Sequence, residues 1–338
     1  MTKRVGKRTV EFSSPVYITG FGSAVGSKEA RGPLGKLFDF KTNDDFAGKP
    51  SYELAETEFM SMAIKYAMER SGLDKSEFEL SLGGDLLNQC TATSYCMREL
   101  GLAFIGLFNA CATMAEGMAL ASMLIDGGFA NNTVSAASSH FCTAERQFRF
   151  PLEYGGQRPP SAQWTVTGSG AVTLSNKKGS YPISVKRATV GKIVDLQITD
   201  ANNMGAAMAP AFFDTLYNYF KDTNTKPDDF DVILSGDLGK IGSDIARDLF
   251  LREGIELGES YTDCGLLIYD MNGQDVHSGG SGCGCSATVL CAKILPEMIS
   301  GRIKRALFIG TGALMSPMML LQKESIASIA HLVELSCE

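Results

Sequence analysis

The sequence is constrained most by a long apolar stretch near its middle. Between residues 100 and 125 the only charged side chain is Glu116. Residues 103–108 are typical of a short buried strand, and residues 111–127 are typical of a helix that is apolar on every side. A helix of this kind is stable in water only when other elements surround it. The stretch therefore predicts a central helix inside a large α/β core.

A membrane-spanning helix is the alternative interpretation of the same stretch. A helix of about 18 residues would be roughly 27 Å long, which is enough to cross a bilayer. Glu116 at mid-span would cost about 2.5–3.5 kcal/mol, however. Gly101, Gly106 and Asn109 also interrupt the apolar run. We therefore favour the buried core helix.

Cys111 stands at the predicted turn from this strand to this helix. A thiol at that position faces the free N–H groups of the first helical turn and the positive end of the helix dipole. Both features favour a thiolate, and both can also bind an anion. The alternative is a small buried cysteine that packs as alanine would, and the local sequence leaves both interpretations open.

Composition narrows the classes of protein to consider. The chain has 338 residues, of which 44% are hydrophobic, and its net charge of −7 argues against a nucleic-acid partner. Its nine cysteines are an odd number in apolar surroundings, with no secretory segment ahead of them. That pattern indicates a reducing compartment rather than a disulfide framework. We therefore expect a globular, cytoplasmic protein.

The order of predicted elements in the first half recurs in the second half. Residues 73–86 resemble residues 226–238, and the tripeptide around Cys111 resembles the one around Cys285. Because the two echoes occur in the same order, they indicate a duplication. We predict halves of residues 1–178 and 179–338.

Strands alternate with helices in both predicted halves. This alternation predicts mostly parallel sheets covered by helices. In the second half the pattern predicts a helix over residues 210–220 and a strand over residues 266–269.

Three short segments resemble the thiolase and ketoacyl-synthase superfamily. They are Asn109-Ala-Cys111 at the start of the central helix, Gly168-Ser-Gly170 near the end of the first half, and Gly310-Thr-Gly312 near the C-terminus. The resemblance covers essentially the whole chain. It implies a duplicated five-layer αβαβα fold with two pseudo-symmetric halves, and a homodimer.

Segments 17–23, 108–117 and 134–141 resemble the sporulation branch of this superfamily, which belongs to spore-forming bacteria. For that branch the resemblance implies binding of dipicolinic acid (pyridine-2,6-dicarboxylate), with calcium as an accompanying ion to be tested. It implies a role in dipicolinate uptake into the developing spore, and so in spore germination. Membrane proteins of the spore dipicolinate transport complex would be partners, with peripheral association at the spore inner membrane. No cofactor is implied.

A condensing enzyme needs proton-transfer partners beside its cysteine. The superfamily places a histidine after the strand that is here 231–235, where this chain has Asp237. A second histidine or asparagine opens a Gly-rich turn, where this chain has Cys283. A carboxylate such as Asp237 would raise the pKa of the Cys111 thiol rather than lower it. We therefore favour a non-catalytic binding protein in which Cys111 is a vestigial nucleophile.

Two other functions stay open at this point. The chain could be an active acyl-transferring or condensing enzyme that uses Cys111 with unusual partners. It could also be a scaffold whose cavity is vestigial. The pattern Cys283-Gly-Cys285 lacks the accompanying ligands of a metal site, so we expect no metal.

A dicarboxylate ligand needs several donors around it. Arginine pairs with a planar carboxylate through two N–H groups, an indole can stack on a pyridine ring, and backbone N–H groups at a helix start bind anions. Of the three histidines, only the one at residue 140 is expected to face the site. The predicted ligand-binding residues are Cys111, His140, Arg158, Trp164, Asp237, Lys240, Cys283 and Gly312.

Overall fold

The computed structural model describes residues 3–148 and 157–337 and shows a mixed α/β protein. Its strands are β1 (Lys3–Val5), β2 (Thr9–Val25), β3 (Phe40–Lys41), β4 (Leu80–Gly84), β5 (Phe104–Gly106), β6 (Asn132–Ser139), β7 (Trp164–Thr165), β8 (Gly168–Ser175), β9 (Ile183–Thr189), β10 (Val232–Ser235), β11 (Tyr261–Asp263), β12 (Gly280–Ser281), β13 (Arg305–Ala313) and β14 (Ser328–Cys337). Its helices are α1 (Ser27–Ala30), α2 (Tyr52–Ser71), α3 (Thr91–Leu100), α4 (Thr113–Asp126), α5 (Phe141–Phe148), α6 (Met204–Thr223), α7 (Gly239–Arg252), α8 (Cys264–Leu267), α9 (Cys283–Val289), α10 (Leu295–Ile299) and α11 (Pro317–Leu321).

The strand order shows that the two halves share one topology. The first half is ordered β2-β8-β6-β4-β5 and the second β9-β14-β13-β10-β11. Numbered along the chain, both halves run first, fifth, fourth, second, third. β2 and β9 pair antiparallel and join the halves into one large sheet. The prediction of a duplicated, thiolase-like α/β fold is confirmed, whereas the boundary between residues 178 and 179 stays a prediction.

The expectation of mostly parallel sheets is wrong, because only half of the strand contacts within each half are parallel. In each half two strand contacts are parallel, namely β6–β4 and β4–β5, and β13–β10 and β10–β11. The other two contacts are antiparallel, namely β2–β8 and β6–β8, and β14–β9 and β13–β14. The reason is that the fifth strand of each half returns between the first and the fourth strand in the opposite direction.

Helices form three layers around these strands. α2 and α3 cover the outer face of the first half, and α6 and α7 cover that of the second. α4 lies between the halves, where it contacts strands of both and also α9. The second part of the apolar stretch is therefore a central core helix. The expectation of a buried strand over 103–108 is wrong, because β5 lies at the edge of the sheet, where Ile105 is 42% exposed. Among the described residues no helix is long and apolar enough to cross a bilayer.

Capping side chains set the helix boundaries. α2 begins where the Ser51 side chain accepts the N–H of Leu54, and it ends at Gly72, whose φ of +69° is left-handed. The helix predicted over 210–220 begins earlier, at Met204, because the Asn203 side chain caps its first turn. Pro210 therefore lies inside α6 instead of starting it.

The predicted strand over 266–269 is wrong, because this segment overlaps helix α8. The strand lies just before it, at β11. Buried Asp263 ends that strand, and its carboxylate accepts the N–H of Gly265 in the first turn of α8 at 2.9 Å. It also accepts the N–H groups of Leu238 and Gly239 at 2.8 and 3.0 Å. A side chain that caps a helix in this way overrides the apolar pattern of the segment.

A buried ionic network joins the two halves. Glu334 in β14 is 2% exposed, and its carboxylate accepts hydrogen bonds from Arg187 at 3.0 Å and from Arg305 at 2.8 Å. The Tyr219 hydroxyl of α6 donates to the same carboxylate at 2.8 Å. Arg187 also pairs at 3.2 Å with Glu11 in β2 of the first half. The Glu334 carboxylate thus ties four elements of the core together.

Candidate functional site

A cavity of about 270 Å³ opens between the two halves at the start of the central helix. Most of its wall is apolar. It is lined by Leu86, Phe108, Ala110, Cys111, Met204, Ala313, Leu314, Met315 and Ser316. The predicted nucleophile position therefore faces a cavity large enough for a small molecule.

Cys111 lies in a short 3₁₀ turn, residues 110–112, that leads directly into α4. It is 7% exposed. Ala110, just before it, has a φ of +48°, a left-handed conformation that is uncommon for a residue with a side chain. The Cys283 thiol donates a hydrogen bond to the Ala110 carbonyl at 2.9 Å. That contact holds the strained turn and brings two predicted site residues, Cys111 and Cys283, together.

Asp237 lies beneath the Cys111 thiol and is fully buried. Its carboxylate accepts the N–H of Gly282 at 2.9 Å and the hydroxyls of Ser281 and Thr311 at 2.9 and 2.7 Å. The Cys111 thiol is a further partner. Burial raises the pKa of Asp237. The carboxylate thus fixes the Gly-rich turn of residues 278–284 against the start of α4.

The environment of Cys111 keeps its thiol protonated. Its hydrogen bond with the Cys283 thiol, its burial and the nearby charge of Asp237 together raise the pKa of Cys111 well above the ordinary value. These contributions outweigh the stabilisation that a helix start gives a thiolate. The expectation from the sequence that Asp237 would raise this pKa is confirmed in direction.

Gly312 brings β13 close to the turn that carries Cys111. A Cβ atom at Gly312 would lie 2.7 Å from the Asn109 carbonyl oxygen and 3.2 Å from the Ala112 nitrogen. Any side chain would push this turn away, so the glycine is required by close packing. Gly312 therefore shapes the site next to Ala313, which lines the cavity.

A polar relay fixes Asn109, the residue before the turn. Its side-chain amide lies 2.7 Å from Nε2 of His331 and also hydrogen-bonds Glu116. Nδ1 of His331 accepts the N–H of Gly191 at 3.3 Å. Burial lowers the pKa of His331 to about 4.

The buried ring of His331 is expected to make stability depend on pH. Between its folded pKa of about 4 and its ordinary value of 6.5, the unfolded chain binds the proton more readily. The free energy of unfolding therefore falls as pH decreases through this window, by roughly 3 kcal/mol at its lower end. Urea unfolding at about pH 7 and about pH 5 measures the change. His331→Asn should show a smaller loss than the wild type, with exposed His277→Asn as the control. Equal losses in His331→Asn and the wild type would contradict this role.

Arg158 and Trp164 lie beside the cavity but not in it. One face of the Trp164 indole stacks on Phe141, with ring centroids 3.8 Å apart. Lys28 Nζ lies 3.3 Å and Arg158 Cζ lies 4.4 Å from the indole centroid on the opposite face. Both faces are thus occupied, which corrects the expectation that Trp164 stacks on a ligand. Arg158 also pairs with Asp275 at 3.3 Å.

A second, water-sized cavity adjoins the first one. Its volume is about 20 Å³, and it is lined by Arg158 and Glu145 among others. Met204 lines both cavities and separates them. Arg158 therefore faces a neighbouring space, instead of the cavity that contains Cys111.

Two further predicted residues lie elsewhere. His140 is buried, with Nε2 2.8 Å from the Asp45 carbonyl oxygen and Nδ1 accepting the N–H of Cys142. Burial also lowers its pKa. Lys240 forms an exposed ion pair with Asp244 one turn along α7. Neither side chain lines the cavity, because local helix and loop contacts direct both away from it.

Several residues of the cavity wall were not predicted. Phe108 precedes Asn109, and residues 313–316 follow Gly312, so both groups flank motifs that were recognised. Extending each motif by a few residues would have found them. Met204 carried no such signal, because the start of its helix was predicted six residues too late.

Sequence comparison finds one family over nearly the whole chain. A family model described as Stage V sporulation protein AD matches residues 6–336. Stage V sporulation protein AD of Bacillus subtilis (strain 168) is 47% identical over 329 residues, which cover 97% of this chain and 96% of that protein.

Comparison with solved structures finds ketosynthase-like enzymes. The 3-oxoacyl-(acyl-carrier-protein) synthase III from Aquifex aeolicus VF5 has a TM-score of 0.58 at 12% identity, covering 95% of this chain and 99% of that one. A variant of Xanthomonas campestris OleA with bound lauric acid and lauroyl-CoA has a TM-score of 0.61 at 14% identity, covering 96% and 99%. At these identities the likeness shows the fold alone.

Proposed function

The chain belongs to the stage V sporulation protein AD family, and from that membership and its cavity we propose that it binds dipicolinic acid without catalysis. In this proposal it supports uptake of the ligand into the developing spore. It does so beside membrane proteins of the spore dipicolinate transport complex, as a peripheral protein of the inner membrane. The cavity at Cys111 is the ligand site.

The partners of the Cys111 thiol support the proposal that the protein is not a catalyst. Its neighbours are a second thiol and a buried carboxylate, and both raise its pKa. The three imidazoles of the sequence have other partners: His140 bonds Asp45, His277 bonds Asp275, and His331 adjoins Asn109. A neutral thiol without a proton acceptor matched to it is a poor nucleophile. The arrangement favours binding over acyl transfer.

The shape of the cavity fits a small aromatic ligand. Its volume of about 270 Å³ leaves room for one ring with two carboxylates, and Leu86, Phe108 and Met315 can pack against the ring faces. The Ser316 hydroxyl and the N–H groups at the start of α4 are donors for a carboxylate. The described residues that line the cavity carry no charge. Calcium bound by the ligand would offset its charge on entering this apolar space, which supports calcium as a partner.

Isothermal calorimetry tests the ligand. We expect dipicolinate to bind at one site per chain, and calcium to strengthen binding. Pyridine-3,5-dicarboxylate, which has the same charge but separated carboxylates, is the matched control and should bind more weakly. Absence of heat with dipicolinate, both with and without calcium, would favour the scaffold hypothesis.

Replacing Cys111 by alanine should leave the fold intact and weaken dipicolinate binding only modestly. The backbone N–H groups, rather than the sulfur, would carry the ligand charge, so we expect a change of about fivefold, the size of one hydrogen bond. Calorimetry on Cys111→Ala measures it. Unchanged affinity together with complete loss of dipicolinate uptake in sporulating cells would contradict the binding proposal.

An acyl-transferring enzyme is the second candidate. The position of Cys111 at a helix start inside a cavity favours it, as does the lauroyl-CoA bound in the OleA structure. Incubation with lauroyl-CoA followed by intact-mass measurement separates the two functions. We expect no acyl adduct, whereas a stable adduct on Cys111 would support the enzyme.

The edge of the large sheet supports a homodimer. β5 is the last strand of the first half and pairs only with β4 among the described strands. Ile105 is 42% and Phe108 62% exposed, and β5 contains neither a charged residue nor a proline to protect the edge. A two-fold related copy would add its own β5 antiparallel to this one. The second copy would also cover Phe108 at the mouth of the cavity.

A further inference from the structure

Two cysteines from different halves meet at the floor of the cavity. Cys111 precedes α4 in the first half, and Cys283 begins α9 in the second. The Cys283 sulfur lies 2.9 Å from the carbonyl oxygen of Ala110, the residue next to Cys111, and the two thiols hydrogen-bond each other. All nine cysteines are unbridged in this structure. The contact therefore places two thiols within reach of a covalent bond.

The surroundings of the pair set it apart from the other buried cysteines. Cys111 lines the cavity, so a small solute that enters reaches its sulfur. Asp237 accepts a hydrogen bond from the same thiol and so holds the Cys111 sulfur at the cavity floor. Cys283 is fully buried behind Cys111. The order from the cavity inward is thus a thiol on the cavity wall and then a second, resolving thiol.

We propose that Cys111 and Cys283 are a redox-active pair that hydrogen peroxide converts into a disulfide linking the two halves of the chain. Neither dipicolinate binding nor acyl transfer is needed for this modification. The disulfide would remove the Cys111 thiol from the wall of the cavity.

The reaction proceeds in two steps. The Cys111 thiol loses its proton to water, and the thiolate, which is scarce because the pKa of this thiol is raised, slowly attacks one oxygen of hydrogen peroxide. The O–O bond breaks, a sulfenic acid forms on Cys111, and the leaving hydroxide takes up a proton to become water. The Cys283 sulfur then attacks the sulfenic sulfur: the S–S bond forms, the S–O bond breaks, and the second hydroxide leaves as water with the Cys283 proton. Two thiols are oxidised and one peroxide is reduced to two waters.

Peroxide treatment followed by intact-mass measurement tests the proposal on the full chain. We expect the protein to lose the mass of two hydrogens and to regain it with dithiothreitol. Peptide mapping without reduction should give one linked pair, containing Cys111 and Cys283. Cys96→Ser is the matched control, because Cys96 is buried in α3 away from the cavity, and this variant should form the same link.

The variant Cys283→Ser provides the second measurement. Without the resolving thiol, oxidation should continue on Cys111, which gains the mass of two oxygens and does not recover with dithiothreitol. A wild-type protein that already shows this irreversible gain would overturn the proposal. So would a linked pair of Cys283 with Cys90, whose thiol donates to the Leu107 carbonyl nearby.

Discussion

Replacing Glu334 by glutamine is expected to lower the free energy of unfolding by about 3–5 kcal/mol. The substitution keeps the shape of the side chain but removes the charge that Arg187 and Arg305 share in the core. Arg187 would keep its ion pair with the partly exposed Glu11, and the Tyr219 hydroxyl would lose a charged acceptor. Urea unfolding followed by circular dichroism gives the free energy.

The matched control is Glu11→Gln, which breaks the other ion pair of Arg187. The Glu11 side chain is 42% exposed, so water can replace the lost partner. We expect a loss of at most about 1 kcal/mol. Similar losses in the two variants would show that burial of Glu334 does not govern the network.

Replacing Ile105 by lysine is expected to convert the proposed dimer into a monomer. The side chain projects from the middle of β5, at the edge where a second copy would pair. Two related lysines would face each other across the symmetry axis, and both would have to be desolvated. Sedimentation velocity of the variant should show one species of half the wild-type mass.

Leu251→Lys controls for the general effect of adding a charge to an exposed apolar site. Leu251 is 65% exposed and lies in α7 of the second half, away from β5. This variant should sediment as the wild type does. A wild-type protein that sediments as a monomer would refute the dimer directly, and a dimeric Ile105→Lys would place the interface elsewhere.

Local sequence was sufficient to predict the central helix and its cysteine. The near absence of charge between residues 111 and 125 indicates a helix surrounded by other elements, as α4 is. Gly312 was recognised as part of the motif Gly310-Thr-Gly312, and the structure places it where two backbones approach closely.

The orientation of polar side chains could not be predicted in the same way. His140 and Trp164 have residue types suited to a carboxylate site, but both are directed by contacts with residues far away in the sequence. Lys240 is directed instead by Asp244, one turn along α7. Phe141 and Lys28 cover Trp164, for example, and their positions depend on the packing of the whole first half. The pairing of Cys111 with Cys283 likewise depends on how the halves meet.

The sheet directions show the same limit. Alternating strands and helices indicated parallel pairing, which holds for β4, β5 and β6. β8 and β14 each insert antiparallel between two strands that come earlier in the chain, and no local sequence pattern indicates this pairing. Sequence periodicity therefore predicted which elements exist better than it predicted how they pair.

Trp164 is the only tryptophan in the sequence, and its own peptide N–H donates to the Gly279 carbonyl at 2.8 Å. The β7–β12 pair thus fastens the sole strong fluorophore of the protein to the Gly-rich turn that also bonds Asp237. Two cations against the indole face make its emission sensitive to small displacements. The intrinsic fluorescence of Trp164 can therefore report conformational changes of this turn in solution without any attached dye.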